Sequence, residues 1–283
     1  MGKNLIIGAF TGYNFNQLKP WVLSIDNCGF KGDKVMVVGE CSDETRKELV
    51  KHGFILHDMI KMQAPIHVAR FLSIYDFLSK NKYEIVVTTD VKDVYFQEDP
   101  CKWIFDNIGN KKLIAGSESI RYKDEPWGNE NLMQAYGPWV HNLFKDQEIY
   151  NVGTIGGECE YVKDLCFNIV TNGINRPIPI VDQAVYNVLL NTQPYKDVVL
   201  FTQQKAGWAV QLGTTGDPSK INSFRPFLTE DEPVFDYESE LVKTKDNKAF
   251  CIVHQYDRVP DWKNVVMKKY EQEDPNNYFT YRI

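Results

Sequence analysis

The sequence predicts an α/β fold: a mostly parallel central sheet with flanking helices. Three observations carry this. Through the first hundred residues, β-branched runs alternate with segments whose apolar residues recur at helical spacing, the pattern of β–α–β units. The 283-residue chain is 43% apolar and 25% charged, ordinary globular proportions that can bury a sizeable core. No internal repeat or low-complexity linker divides it, so one domain over residues 1–283 is expected.

In chain order, NLIIGAF (4–10) reads as the first strand, and LKPWVLSIDNCGF (18–30) as a helix closing near Gly29. KVMVVGE (34–40) is a second strand. DETRKELVKHG (43–53) is a helix with its acidic residues early and its basic residues late, as the helix dipole prefers. FILHDM (54–59) is a third strand. HVARFLSIYDFLSKN (67–81) is an amphipathic helix with Val68, Phe71, Leu72, Tyr75 and Leu78 along one side, and EIVVTTD (84–90) is a fourth strand. Beyond Pro100 the regularity weakens. KKLIAGSES (111–119) reads as a strand, EIYNVGTIGGE (148–158) as a strand broken by glycines, and DQAVYNVLLN (182–191) as a helix. KAFCIVHQYDR (248–258) reads as a late strand emptying into a polar tip. Residues 204–246, rich in Gly, Pro, Thr, Asp and Glu, give no assignment.

Composition narrows the function. A net charge of −6 and the lack of any dense Lys/Arg run argue against general nucleic-acid binding, which needs a basic face. The six cysteines (Cys28, Cys41, Cys101, Cys159, Cys166, Cys251) form no C-x-x-C and have no close His at zinc spacing, so reduced thiols in a cytosol-like compartment are expected. MGKNLIIGAF has too short an apolar run for a signal peptide or membrane anchor, and the chain is expected to be soluble.

The most informative stretch is VVTTDVKDVYFQEDP (86–100), where a β-branched strand runs straight into Asp90 and Asp93. Crowded carboxylates repel, a cost tolerated when they share a cation, and ligands of parallel sheets sit beyond the carboxyl ends of the strands. The alternative is a solvated strand-to-loop turn. Arg70, among apolar neighbours in the preceding helix, is placed to fork onto a carboxylate of this pair or onto a phosphate; a surface arginine lying over the sheet edge is the plainer reading.

Taken in order, TTDVKDVYFQEDP, NVGTIGG, VDQAVYN and VHQYDR resemble the nucleotide-sugar-dependent glycosyltransferases of the GT-A fold, over about residues 4–258. The resemblance implies a GT-A-like domain with a Rossmann-like sheet, a nucleotide-binding half at about 1–110 and an acceptor-binding half at about 111–283. One departure is plain: the usual Asp-x-Asp is here Asp-x-x-Asp, with Lys92 before Asp93, so either aspartate is open as the direct ligand.

On this resemblance Asp90, Asp93 and His254 hold a divalent cation, and imidazole beside carboxylate suits Mn²⁺ better than Mg²⁺. Such a cation stabilises the charge growing on the diphosphate leaving group. Ala9, Phe10, Thr11 and Tyr13 would line the nucleoside pocket, though Phe10 also reads as core. Asn151 would offer its amide to sugar hydroxyls, with Gly153 and Gly156 leaving room. Asp182 opens a helix and reads either as an N-cap or as the carboxylate facing the acceptor hydroxyl, with Gln183 orienting the sugar. The stretch RYKDEPWGNEN, read as a loop, would be an acceptor platform through Trp127, Asp124 and Glu125.

The expected activity is metal-dependent transfer of a sugar, from a uridine diphosphate donor by preference, to a hydroxyl of a glycan or glycoconjugate. A sugar nucleotidyltransferase would carry a basic Gly-rich loop after the first strand, where GAFTGYNFN has no Arg or Lys. A haloacid-dehalogenase-type phosphatase needs a carboxylate two residues after its nucleophile, where Lys92 stands. A sugar-nucleotide- or glycan-binding module without turnover stays open.

Overall fold

The computed structural model describes residues 2–271. Its centre is a seven-stranded sheet built from β1 (Leu5–Phe10), β2 (Asp33–Val38), β3 (Phe54–Asp58), β4 (Ile85–Thr89), β6 (Leu113–Arg121), β7 (Glu148–Glu158) and β8 (Val199–Thr202). The order is β3-β2-β1-β4-β7-β6-β8, and β7 alone runs against the others. The expected mixed α/β domain with a mostly parallel sheet is therefore what forms.

Helices cover both faces. On one lie α3 (Ile66–Lys80), α5 (Pro126–Phe144), α6 (Cys159–Gly173) and α7 (Asp182–Leu190), with Phe71, Leu132, Val162 and Val185 in the core beneath them. On the other lie α1 (Phe15–Asn27), α2 (Asp43–Lys51) and α4 (Pro100–Asn107), with Trp21, Leu49 and Ile104 inward. Helix α1 begins three residues earlier than its apolar spacing suggests, because Asn14 and Gln17 form a reciprocal capping box.

A second sheet joins β5 (Val94–Phe96), β12 (Ile252–His254) and β9 (Ala209–Gln211), with β12 in the middle. The late strand is shorter than expected: Gln255 turns left-handed at φ 60 and a 3₁₀ turn follows. The unassigned segment supplies β9, a turn of helix at Leu212–Thr215 and a hairpin of β10 (Val234–Asp236) with β11 (Leu241–Lys243).

Two other expectations are corrected. β7 is not broken by its glycines but runs unbroken for 11 residues, paired with β4 from Glu158 to Thr154; the register irregularity lies on its β6 side. The stretch at 121–131 is a 3₁₀ turn (Tyr122–Asp124) leading into α5, because Glu125 caps the helix and Pro126 takes its first position. All six cysteines are free thiols. Among the described residues no helix is long and apolar enough to cross a membrane.

Candidate active site

The site forms where β4 ends. Val91 turns back into the core, so the bend between β4 and β5 buries one residue and leaves Asp90 and Asp93 on the same side. The extra residue in Asp-x-x-Asp is thus an anchor, and the wider spacing still converges. β5 then pairs with β12, setting His254 opposite Val94, while Gln211 of β9 lies opposite His254 on the other flank. The Asp93 carbonyl accepts from Gln255 N at 2.7 Å, tying the end of β12 to the aspartate turn.

His254 Nε2 stands 3.5 Å from Asp90 Oδ2 and 3.6 Å from Asp93 Oδ1. A hard cation with ligands about 2.1 Å away sets neighbouring donors roughly 3 Å apart, so the three groups must draw closer to hold an ion. One potential ligand atom from each of the three residues lies within 4.8 Å of the others. His254 Nδ1 is 2.7 Å from Gln211 Oε1, whose amide donates to Thr154 Oγ1 at 3.1 Å. That contact fixes the ring and leaves Nε2 facing the carboxylates. Gly153 makes room: a Cβ there would lie 2.7 Å from His254 Cε1 and 2.9 Å from both Asp90 Oδ2 and Asn151 Oδ1. Gly156 plays a different part, because a Cβ there would strike Ile104 Cδ1 at 2.6 Å in the core.

Arg70 forks onto one expected partner, a carboxylate of the aspartate pair, and onto one that the sequence did not point to. It bonds Asp90 through Nη1 and Asp182 through Nη2, the latter at 3.0 Å. Burial alone would raise the Asp90 pKa, but the Arg70 charge and the neighbouring His254 drive it well below the usual carboxylate range. Burial would lower His254, yet the Asp93 and Asp90 carboxylates hold it up at about 10. An imidazolium proton thus balances the two aspartates, and a bound cation would displace it. Asp182 is raised by burial, against the Arg70 and His67 charges. It is the first residue of α7, whose N-cap is Val181, so the N-cap reading is set aside, although the Gln183 N–H does bond its carboxylate.

A cleft of about 360 Å³ opens over these groups, lined by Arg70, Asp90, Asp93, Glu125, Asn151, Asp182, Gln183 and His254, with the exposed Trp127 on its rim. Trp127 is 48% exposed. The carboxylate of Glu125 is taken up by the α5 N-terminus, through the N–H groups of Trp127 and Gly128, and Asp124 does not line the cleft. Asn151 is bound on both sides, its Nδ2 to Glu118 and its Oδ1 from Gly153 N. Ala9, Phe10, Thr11 and Tyr13 lie outside the cleft lining. Phe10 is 2% exposed in the core, Thr11 Oγ1 accepts from Glu40 N, and Tyr13 stacks on Phe10 with Lys92 5.7 Å from its ring. Burial and the Asp93 and Asp90 charges raise the Tyr13 pKa.

The cleft also contains Glu118, His67, Thr214 and Lys220, none of which stood out in the sequence, and Gln255 and Arg258 of the VHQYDR motif, which were given no role there. Glu118 sits inside an otherwise ordinary strand, and Thr214 and Lys220 come from the segment that carried no pattern.

No protein-family model matches this sequence, and no curated protein matches it. Among solved structures it superposes on the apo structure of the bifunctional glycosyltransferase WbbM, with a TM-score of 0.60 at 12% identity over 95% of this chain and 52% of that one. It also superposes on the galactosyltransferase LgtC in complex with donor and acceptor sugar analogs, with a TM-score of 0.50 at 12% identity over 88% of this chain and 86% of that one. The chain spans about half the length of the WbbM chain. The fold is that of the GT-A glycosyltransferases.

Proposed function

We propose that this protein is a metal-dependent glycosyltransferase that moves a sugar from a nucleoside diphosphate donor, a uridine diphosphate sugar by preference, to a hydroxyl of a glycan or glycoconjugate. The observation that carries this reading is the meeting of Asp90, Asp93 and His254 in one cleft on a GT-A fold. Two carboxylates and an imidazole suit Mn²⁺ better than Mg²⁺. A divalent cation bound there supplies positive charge to the diphosphate oxygens as the bond to the sugar breaks.

The chain's own groups do the rest. Arg70 holds Asp90 and Asp182 in a fixed relation, joining the donor half (about 1–110) to the acceptor half (about 111–283). Tyr13 is the aromatic face offered to the nucleoside end. Asp182, whose pKa is raised by burial, takes the proton of the attacking hydroxyl, and Gln183 orients the sugar. Trp127, half-exposed at the rim, offers an apolar face to an acceptor ring. The six free thiols suit a reducing, cytosol-like compartment.

The test is a thermal-shift screen of uridine and guanosine diphosphate sugars with Mn²⁺, followed by donor turnover. A donor at about 100 times its Kd stabilises the fold by roughly 2.7 kcal/mol. Asp93→Ala and Asp90→Ala should fold normally by circular dichroism and lose both the shift and the turnover. Wild-type rates in both variants would remove the metal assignment. Binding without any donor turnover in the wild type would make the protein a binding module.

A further inference from the structure

Glu118 is buried, lines the cleft, and has no part in the chemistry above. Its Oε1 accepts two hydrogen bonds, from Asn151 Nδ2 at 2.8 Å and from Gln183 Nε2 at 3.0 Å. One oxygen on β6 therefore ties β7 to the first turn of α7. Each bond settles an amide that would otherwise be free to turn over. With Nε2 on Glu118, Gln183 has its carbonyl oxygen directed elsewhere, and Gln183 is itself a cleft residue. With Nδ2 on Glu118, Asn151 turns Oδ1 to the Gly153 N–H at 2.7 Å. The Gly153 carbonyl in turn accepts from Asp90 N at 3.0 Å, so hydrogen bonds link Glu118 through Asn151 and Gly153 to the backbone of Asp90, the residue proposed to hold the cation.

The backbone is built to keep Glu118 there. Ser119 is left-handed at φ 57, a conformation rare for a non-glycine residue, and the β6–β7 register shifts between Ser117 and Arg121. Four hydrogen bonds lock this turn: Ser119 N to Ser117 Oγ and Gln204 Nε2 to Ser119 Oγ, both 2.7 Å, Thr229 N to Ser119 O at 2.8 Å, and Thr214 Oγ1 to Glu118 O at 2.9 Å. A residue in so sparse a region persists when its surroundings over-determine it.

We propose that Glu118 is a positioning residue of this site, holding the Gln183 and Asn151 amides in one orientation so that Gln183 presents its carbonyl oxygen to the substrate and Asn151 supports Gly153 beneath Asp90. Near neutral pH it is only partly ionised. Burial raises its pKa to about 7, the Glu125 charge at the α5 N-terminus adds to this, and the two amide bonds and His254 on β12 oppose it. A neutral carboxyl still has a carbonyl oxygen, which is all that two amides sharing Oε1 require.

The experiment compares wild type, Glu118→Gln and Glu118→Ala in two arms. The kinetic arm rests on the glycosyl-transfer reading and measures kcat and KM for Mn²⁺-dependent turnover of a uridine diphosphate sugar. Glu118→Ala should lower kcat by about 10²-fold with KM within about twofold, because misplacing a positioned group costs on this order. Glu118→Gln, neutral and of the same shape, should restore kcat to within about tenfold of wild type. A Gln variant as slow as the Ala variant, or an Ala variant at wild-type rate, overturns the proposal. The second arm needs no activity: neutron crystal structures of both variants, which tell amide O from N, should show Gln183 and Asn151 turned only in Glu118→Ala. A wild type inert on every donor removes the glycosyl-transfer reading, and this arm then decides alone: unchanged amides in Glu118→Ala overturn the role of Glu118, and turned amides uphold it.

Discussion

Gly153→Ala tests the geometry of the site more sharply than removal of a ligand, because it adds one methylene's worth of bulk and changes no charge. The new Cβ would stand 2.7 Å from His254 Cε1, so one of them must give way by roughly 0.7 Å to reach ordinary contact. His254 has nowhere to go: Gln211 holds its Nδ1 at 2.7 Å, and β12 is paired on both sides. β7 cannot retreat either without breaking the 3.0 Å bond from Asp90 N to Gly153 O. Metal sites tolerate ligand displacements of only about 0.2 Å, so Mn²⁺ affinity should fall by about 10–100-fold, or roughly 1.4–2.7 kcal/mol. The overpacking itself should cost the metal-free fold about 1–3 kcal/mol. Gly156→Ala is the control, since its Cβ meets Ile104 in the core; it should lower Tm and leave Mn²⁺ affinity alone. Calorimetric titration with Mn²⁺ beside metal-free melting separates the two effects. A Gly153→Ala protein that binds Mn²⁺ as tightly as wild type would refute the placement of His254 and Asp90 around this glycine.

Arg70→Met leaves Asp90 and Asp182 facing each other without their shared cation, and should cost about 3–5 kcal/mol, read as a Tm loss that added Mn²⁺ partly restores; an unchanged Tm would speak against the bridge. Asp182→Asn disturbs no helix cap, so donor affinity by calorimetry should stay near wild type while transfer falls by about 10²–10⁴-fold. Unchanged transfer would make Asp182 only the counterion of Arg70. The raised pKa of Glu118 also makes a statement about stability. Because the folded value, about 7, lies above its ordinary 4.5, its contribution is fully present below pH 4.5 and is lost as pH rises through about 7. The loss is on the order of 3 kcal/mol, and Glu118→Gln should flatten that part of the metal-free Tm–pH curve. Identical curves for the two proteins would show that Glu118 ionises freely.

The sequence by itself determined the central sheet except for β8, together with one edge of the site. The runs that became β1 to β4 and α1 to α3 carry their own periodicity, and Asp90 follows a β-branched strand, so its place at a strand end was readable from neighbours along the chain. Arg70 was visible as the one guanidinium on an apolar helix. Helix α5 was missed because Gly128, Asn129 and Asn131 look like loop residues, although Glu125 and Pro126 are a cap and a first-turn proline that mark a helix start. Tertiary structure decided the rest. From residues alone His254 was an ordinary strand-end histidine, set beside the aspartates only by the family resemblance; what places it there is β12, three residues long, inserted between β5 and a β9 from the stretch that showed no pattern. Strands so short have too few residues to display a period, and their pairing is fixed by partners far away in the chain. Glu118 was hidden for a related reason. Nothing local distinguishes a glutamate within a strand; its importance comes from a backbone twist at Ser119 and from two amides that reach it from other elements.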